Sequence, residues 1–179
     1  MKIPDQLLSD RLILRPYVED DFGAFFDFLS DPTATRFLRF TKEQKTWHGA
    51  KAFFNDVIQS YAGYQPIFAL AIIHKEKGTY LGSCGLSPLS DGIGVECYYV
   101  LLPSYWGRGF AVEAVSALFH YAFSELRIGK IIALVHPENH TSRQVAEQLG
   151  MTHQGLVFDK ETGQNVNCYL LLKKDYLTD

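Results

Sequence analysis

Hydrophobic and polar positions alternate along the chain with two periods, one typical of strands and one typical of helices. Residues 11–18 (RLILRPYV) alternate as a half-buried strand does. Residues 19–31 carry acids in their first turn and are followed by Pro32, which is the pattern of a helix. The sequence TKEQ at 41–44 is a capping-box pattern, so a second helix is predicted to begin there and to run to about Ala62.

The period then changes to that of strands. Three β-rich runs lie at 66–74, 79–86 and 94–102, separated by the turn-forming sequences KEKG and LSDG. Because an antiparallel pair is the kind that short turns can join, these runs predict an antiparallel meander.

The last part of the chain alternates between helix and strand. Apolar residues at helical spacing along 110–126 predict an amphipathic helix, and a short β run follows at 130–136. Residues 139–150 have the pattern of a compact helix with Asn139 at its N-cap and Gly150 after its end. Two further β runs, LVF and NCYLLL, follow, so the chain as a whole predicts a mixed α/β fold around a central sheet.

Composition narrows the class of protein. With 179 residues, 47% of them hydrophobic and 21% charged, the chain predicts one globular domain over 1–179, and no linker-like segment divides it. The formal net charge of -3 disfavours nucleic acid or a membrane surface as a partner. Cys84, Cys97 and Cys168 are interpreted as free thiols, and no targeting or bilayer-length apolar segment occurs, so a cytoplasmic protein is expected.

The sequence WGRGFA at 106–111, where a β run meets a helix, is the candidate binding site. A tight turn relieved by glycine is one interpretation. A second interpretation, a dinucleotide-binding fingerprint, would need a third glycine where this chain has Val112. It would also need an acid at the end of the next strand, but that strand ends in LVH at 134–136. A nicotinamide-dependent enzyme is therefore disfavoured, and the P-loop sequence GxxxxGK[ST] does not occur.

A third interpretation of the junction is a pyrophosphate site at a helix N-terminus. Backbone N–H groups of residues 107–112 would lack partners inside the helix and would point toward a bound anion. The small residues Gly107, Gly109 and Ala111 would let phosphates approach the backbone, and Arg108 would add a charge-assisted contact. The residues alone thus indicate either a turn or a pyrophosphate cradle.

The junction resembles motif A of the GCN5-related N-acetyltransferases (GNAT), Q/R-x-x-G-x-G/A. Four segments in the same order resemble the branch with ribosomal-protein alanine and serine N-acetyltransferases: SDRLILRPY, YLGSCGL, GVECYYVLLPSYWGRGFAVEAV and ENHTSRQVAEQLGM. The resemblance implies a GNAT-like fold, a mostly antiparallel central sheet with splayed central strands, flanked by about four helices.

The resemblance also implies where acetyl-CoA, the cosubstrate, would bind. Backbone groups of Tyr99, Val100 and Leu101 would pair with the pantetheine arm, and Asn139 would hydrogen-bond it, with Ser142 beside it. The pyrophosphate would lie on six consecutive residues, namely Gly107, Arg108, Gly109, Phe110, Ala111 and Val112. Trp106 stands where the family commonly has Gln or Arg, so the phosphate contact would fall mainly to the backbone.

Acetyl transfer from a thioester to an amine needs a base for the amine proton and an acid for the leaving thiolate. Glu96 is the candidate base, because burial in an apolar β run would raise its pKa; a salt bridge or an exposed strand face is the competing explanation. In many family members, a tyrosine seven residues after the asparagine protonates the sulfur. This chain has Ala146 at that position. Ser142 resembles the serine proposed as acid in the ribosomal-protein branch, although capping would also explain it.

The predicted function is acetyl-CoA-dependent transfer of an acetyl group to a primary amine by direct attack. The acceptor, a protein N-terminus or a small-molecule amine, is left open, as is the choice between monomer and homodimer. A non-catalytic module that binds or senses acyl-CoA is the alternative. No metal is predicted, because Pro137 interrupts the helical spacing of His136 and His140 and no third ligand is evident.

Overall fold

The computed structural model describes residues 1–38, 40–160 and 162–176. The strands are β1 (Leu7–Leu8), β2 (Leu12–Arg15), β3 (Phe68–His74), β4 (Tyr80–Pro88), β5 (Gly94–Leu101), β6 (Lys130–Val135), β7 (Thr152–Asp159) and β8 (Gln164–Leu172). The helices are α1 (Phe22–Ser30), α2 (Trp47–Ser60), α3 (Phe110–Ser124), α4 (His140–Gln148) and α5 (Lys173–Tyr176). Short 3-10 turns lie at Glu19–Asp21 and Pro103–Tyr105.

The strands form one sheet in the order β1-β2-β3-β4-β5-β6-β8-β7. Neighbours pair antiparallel, as the meander prediction expected, except β5 and β6, which run parallel. That parallel pairing joins only 94–96 to 130–132, whereas β4 pairs with β5 as far as Leu101. The predicted mixed, mostly antiparallel sheet with splayed central strands is confirmed, and the splay begins after Glu96.

Different helices cover the two faces of the sheet. One core contains Leu118 and Phe119 of α3, and the other contains Phe25 of α1 and Phe54 of α2. Because neighbouring side chains on a strand point to opposite faces, β3 alternates between the two cores and is buried on both sides. This sandwich of helix, sheet and helix holds the splayed strands in the middle of the molecule.

The second helix begins later than its capping-box pattern predicts. The Thr41 N–H donates to Gln44 Oε1 at 2.9 Å and the Gln44 N–H donates to Thr41 Oγ1 at 3.1 Å, so the box forms. It closes only a turn, because Thr46 then adopts an extended conformation with φ -83° and ψ 155°. Thr46 caps α2 itself by accepting a hydrogen bond from the Gly49 N–H at 3.1 Å.

The ends of the later helices follow the sequence more closely. Asn139 is the N-cap of α4, and Gly150 after it has a φ of +75°, both as predicted. The short helix α5 has no counterpart in the sequence-based expectations. Over the described parts of the chain, no helix is both long and apolar enough to cross a bilayer.

Candidate active site

A cavity of about 540 Å³ opens where β5 and β6 separate, a size within the usual range of small-molecule sites. Its walls are the end of β5, the N-termini of α3 and α4, and the segment after α1. Ten of the predicted site residues line it: Tyr99, Val100, Leu101, Gly107, Gly109, Phe110, Ala111, Val112, Asn139 and Ser142. The structure therefore brings together residues from three separate stretches of sequence.

Only two of the three predicted β5 residues direct backbone groups into this cleft. The Leu102 N–H donates to the Leu81 carbonyl at 2.8 Å, and Val100 lies opposite Ser83 in the same antiparallel register. Because backbone groups alternate in direction along a strand, those of Val100 also pair with β4. The backbone role that the resemblance implies for Val100 is therefore corrected, and Tyr99 and Leu101 remain.

Trp106 turns back toward β5. Its indole Nε1–H donates to the Leu101 carbonyl oxygen at 2.7 Å, and the residue is 42% exposed at the cavity wall. The indole thus fixes the last residue of β5 against the loop that leads into α3. One of the two lone pairs of that carbonyl is thereby occupied before any ligand arrives.

The loop before α3 is built from left-handed glycines. Gly107 has a φ of +70° and Gly109, the N-cap residue, a φ of +78°, conformations that L side chains rarely adopt. Gly109 supplies no side-chain cap to α3. The first N–H groups of α3 consequently face the cavity without an intrahelical partner, at the positive end of the helix dipole.

Arg11, which the sequence analysis did not single out, braces this loop from the N-terminal part of the chain. Its Nη1–H donates to the Arg108 carbonyl at 3.1 Å, and its guanidinium lies 4.4 Å from the centre of the Phe110 ring. The Arg11 Nε–H donates to Glu113 Oε2 at 2.6 Å, and Glu113 Oε1 accepts from the Arg11 backbone N–H and the Ser9 hydroxyl, each at 2.7 Å. No local pattern signals a contact between residues about a hundred positions apart.

The N-terminus of α4 is organised by side chains instead. Asn139 Oδ1 accepts a hydrogen bond from the Ser142 N–H at 3.1 Å. The Tyr99 hydroxyl lies 2.7 Å from Ser142 Oγ and donates to the Ser142 carbonyl at 3.0 Å. Ala146, one turn further along, is 1% exposed and packs into the core. Ser142 is therefore held both by its helix cap and by a tyrosine from β5.

Glu96 and Arg108 are the two predicted site residues outside the cavity lining. Glu96 lies at the last pairing of β5 with β6, and strand alternation places its side chain on the face of Tyr98, which packs against the α1–α2 core. Tyr99 and Cys97 belong to the opposite, α3 side. The two predicted catalytic side chains, Glu96 and Ser142, thus lie on opposite sides of β5.

The segment after α1 closes the cavity from the other side and was not predicted to be functional. The Phe37 ring stacks on the His136 ring with centres 5.0 Å apart, and Arg36 pairs with Glu138 at 3.3 Å. His136 is therefore engaged by an aromatic ring. Within the described residues, no group of three or more His, Cys, Asp or Glu side chains is arranged to hold a metal ion.

The profile of the acetyltransferase (GNAT) domain matches residues 11–152, which is most of the chain. The chain belongs to this family. This GNAT protein is 31% identical over 186 aligned residues to an uncharacterized N-acetyltransferase, p20, of Bacillus licheniformis, with 96% of this chain and 98% of the relative covered. The family resemblance predicted from the sequence is confirmed, and the chain is an enzyme of the acetyltransferase class.

Two solved structures show how the GNAT fold extends over the chain. A spermidine N-acetyltransferase from Vibrio cholerae in complex with CoA and spermine matches with a TM-score of 0.79 and 18% identity, covering 95% of this chain and 100% of that one. A ribosomal-protein-S5-alanine acetyltransferase from Vibrio fischeri matches with a TM-score of 0.75 and 15% identity, covering 96% and 98%. The shared fold does not select an acceptor, because these two neighbours are named for different ones.

Proposed function

We propose that this GNAT protein is a single-domain, acetyl-CoA-dependent N-acetyltransferase whose acceptor is a primary amine. The observation that carries the proposal is the cavity at the splay, where the exposed N-terminus of α3 meets the free edge of β5. The relatives are named as acetyltransferases, so the alternative of a module that only senses acyl-CoA is not retained.

The cavity residues fit the parts of acetyl-CoA. Gly107 and Gly109 leave the N–H groups at the start of α3 open to a pyrophosphate, and the positive end of the helix dipole favours its charge. The backbone of Tyr99 and Leu101 faces the splay, where the amide groups of a pantetheine arm would pair as a further strand does. Asn139 uses Oδ1 for the helix cap, so its Nδ2–H is the group for the arm.

Direct attack by the amine is supported over a cysteine acyl-enzyme. Burial, and to a smaller extent the nearby Glu96 charge, raise the pKa of the Cys97 thiol to about 12. Burial also raises the pKa of Cys84. Since the thiolate is the nucleophilic form, neither buried cysteine is prepared to attack a thioester at neutral pH.

Glu96 and Ser142 lie on opposite sides of β5, which supports two separate proton transfers on the two sides of the cleft. The amine would approach from the α1–α2 side and lose its proton to Glu96 directly or through water. The thiolate would leave on the α4 side, beside Ser142. Acetyl-CoA supplies the activated acetyl group, and the chain orients it and manages the two protons.

Binding tests the cofactor half of the proposal. Calorimetric titration and thermal shift with acetyl-CoA, CoA and NAD should show binding of the first two with a raised midpoint, and none of NAD. Turnover then follows from release of the CoA thiol in the presence of spermidine or an alanine-initiated peptide, which sample the two acceptor classes. Absence of CoA binding would overturn the proposal.

The Glu96→Gln variant tests the acceptor half. We expect kcat to fall about 100-fold, in the range of general-base effects, with the CoA Kd unchanged. Glu76→Gln, on the exposed turn after β3, is the matched control and should be fully active. A Glu96→Gln enzyme with full turnover and a lowered midpoint would assign Glu96 to a structural ion pair instead.

A further inference from the structure

The proposed binding of acetyl-CoA uses only the backbone of Tyr99 and leaves its side chain without a role. It projects from β5 toward α4 and ends at Ser142, touching both the carbonyl and the hydroxyl of that residue. The helix position at which many family members carry an acidic tyrosine is the buried Ala146. A tyrosine hydroxyl is nonetheless present in the cavity, delivered from the strand rather than from the helix.

We propose that Tyr99 is the positioning residue that sets the Ser142 hydroxyl for protonation of the departing thiolate. This inference rests on the proposed acetyltransferase function. In the reactive arrangement, the phenolic O–H of Tyr99 leaves the Ser142 carbonyl and donates to Ser142 Oγ, so the serine proton is turned away from the tyrosine and into the cavity.

The hydrogen bonds around Ser142 define this arrangement. The Ser142 N–H is committed to Asn139 Oδ1, which fixes the backbone of the first turn of α4. The Tyr99 hydroxyl has one proton and two acceptors within reach, Ser142 Oγ at 2.7 Å and the Ser142 carbonyl at 3.0 Å. Donation to Oγ leaves the serine proton available to sulfur, whereas donation to the carbonyl lets Tyr99 accept that proton and removes it from the reaction.

Tyr99 itself keeps its proton throughout. Burial raises the pKa of its phenol more than the hydrogen bond with Ser142 lowers it, so the hydroxyl is protonated at neutral pH. A phenolic donor beside Ser142 Oγ stabilises negative charge on that oxygen as its proton leaves.

The transfer balances without a further reactant. The amine nitrogen bonds to the acetyl carbon, and the carbon–sulfur bond breaks with its electron pair staying on sulfur. The sulfur takes the Ser142 proton. The proton that the amine gives up passes to Glu96 and from there to solvent, and a solvent proton restores the serine hydroxyl.

The Tyr99→Phe variant tests the inference, with Tyr169→Phe as its matched control. Tyr169 also ties α4 to the sheet, because its hydroxyl accepts from the Arg143 Nε–H at 3.3 Å, but it lies outside the cavity lining. We expect Tyr99→Phe to lower kcat on the order of tenfold with unchanged CoA Kd, and Tyr169→Phe to affect only the thermal midpoint.

A double-mutant cycle with Ser142→Ala separates positioning from packing. If Tyr99 acts through Ser142, the double variant is no slower than Ser142→Ala alone; if the two act independently, the losses multiply and the inference fails. Turnover uses spermidine or the alanine-initiated peptide, or the slow hydrolysis of acetyl-CoA if neither is accepted, because hydrolysis releases the same thiolate.

The controls distinguish the two levels of the proposal. A wild-type enzyme that binds no CoA or releases no thiol would overturn the proposed function. A wild-type enzyme that turns over while Tyr99→Phe equals it in kcat would overturn only the role of Tyr99. If Tyr99→Phe loses CoA binding as well, the tyrosine is structural and the inference is equally overturned.

Discussion

The helices α3 and α4 both begin at the same cavity, yet their N-termini are built in opposite ways. Gly109 starts α3 with a left-handed backbone and no side-chain cap, whereas Asn139 starts α4 with a side-chain hydrogen bond to the Ser142 N–H. A side-chain cap occupies an N–H group that a ligand would otherwise bind. We therefore expect the first terminus to bind an anion through its backbone and the second to present side chains to the reacting end of the ligand.

Replacing Gly109 by valine, at the N-terminus of α3, should have the largest effect on CoA binding. A β-branched residue is strongly disfavoured at a φ of +78°, so the loop would rearrange and withdraw its N–H groups. A Cβ at this position would lie 3.5 Å from Arg11 Nη2, an ordinary van der Waals contact, so the expected effect comes from the backbone conformation. We expect CoA affinity, measured by calorimetry, to fall on the order of 100-fold.

Gly78→Val is the control for backbone strain alone. Gly78 has a φ of +62° in the turn between β3 and β4, with no atom within 4 Å of an added Cβ. Its substitution should lower the thermal midpoint and leave the CoA Kd unchanged. Equal CoA affinity in both valine variants would show that the α3 terminus is a turn and not a cradle.

The two termini also differ in how far the sequence predicts them. WGRGFA and the Asn139 cap are local patterns, and the structure places them at the cavity, apart from Arg108. Strand and helix periods predict the elements that carry them. The side-chain contacts of Arg11 and Tyr99 could not be predicted in this way, since their partners, Arg108 and Ser142, are distant in sequence. Such contacts depend on sheet register, which local patterns do not specify.

Register also explains the other differences. The direction of the Val100 backbone follows from its pairing with Ser83, and a one-residue slip would reverse it. The late start of α2 follows from the cap that Thr46 forms, because the Thr41 box closes only a turn before it. The splay after Glu96 was implied by family resemblance and by no pattern in the strands themselves.

Two substitutions of Asn139 sharpen the α4 half of the comparison. Asn139→Ala removes both the cap and the amide, so the free energy of unfolding should fall by about 1 kcal/mol and CoA affinity about tenfold. Asn139→Asp keeps an oxygen acceptor for the Ser142 N–H but loses the Nδ2–H donor. Stability close to wild type with weakened CoA binding is expected for aspartate. If Asn139→Asp binds CoA with wild-type affinity, Asn139 only caps α4 and does not bind the pantetheine arm.

The smallest expected effect concerns the ion pair between Arg11 and Glu113, which supports the N-terminus of α3. It is measured from the pH dependence of the free energy of unfolding. Burial alone would raise the pKa of Glu113, but hydrogen bonds from the Arg11 backbone, the Ser9 hydroxyl and the Arg11 guanidinium outweigh it and lower that pKa. A carboxyl whose pKa is lower when folded stabilises the protein above its unfolded pKa of about 4.3, and that contribution disappears as pH falls through the folded pKa.

Glu113→Gln should therefore differ from wild type in its free energy of unfolding by at most about 1 kcal/mol at neutral pH, because Arg11 remains half exposed. Denaturant titrations should show the two proteins converging as the pH falls below about 4. Asp91→Asn is the comparison, since the Lys130 partner of Asp91 lowers its pKa to about 2 far from the cavity, and its convergence should come at lower pH. A pH-independent difference for Glu113→Gln would mean that packing, not the charge that positions Arg11 under the loop, maintains the open N-terminus of α3.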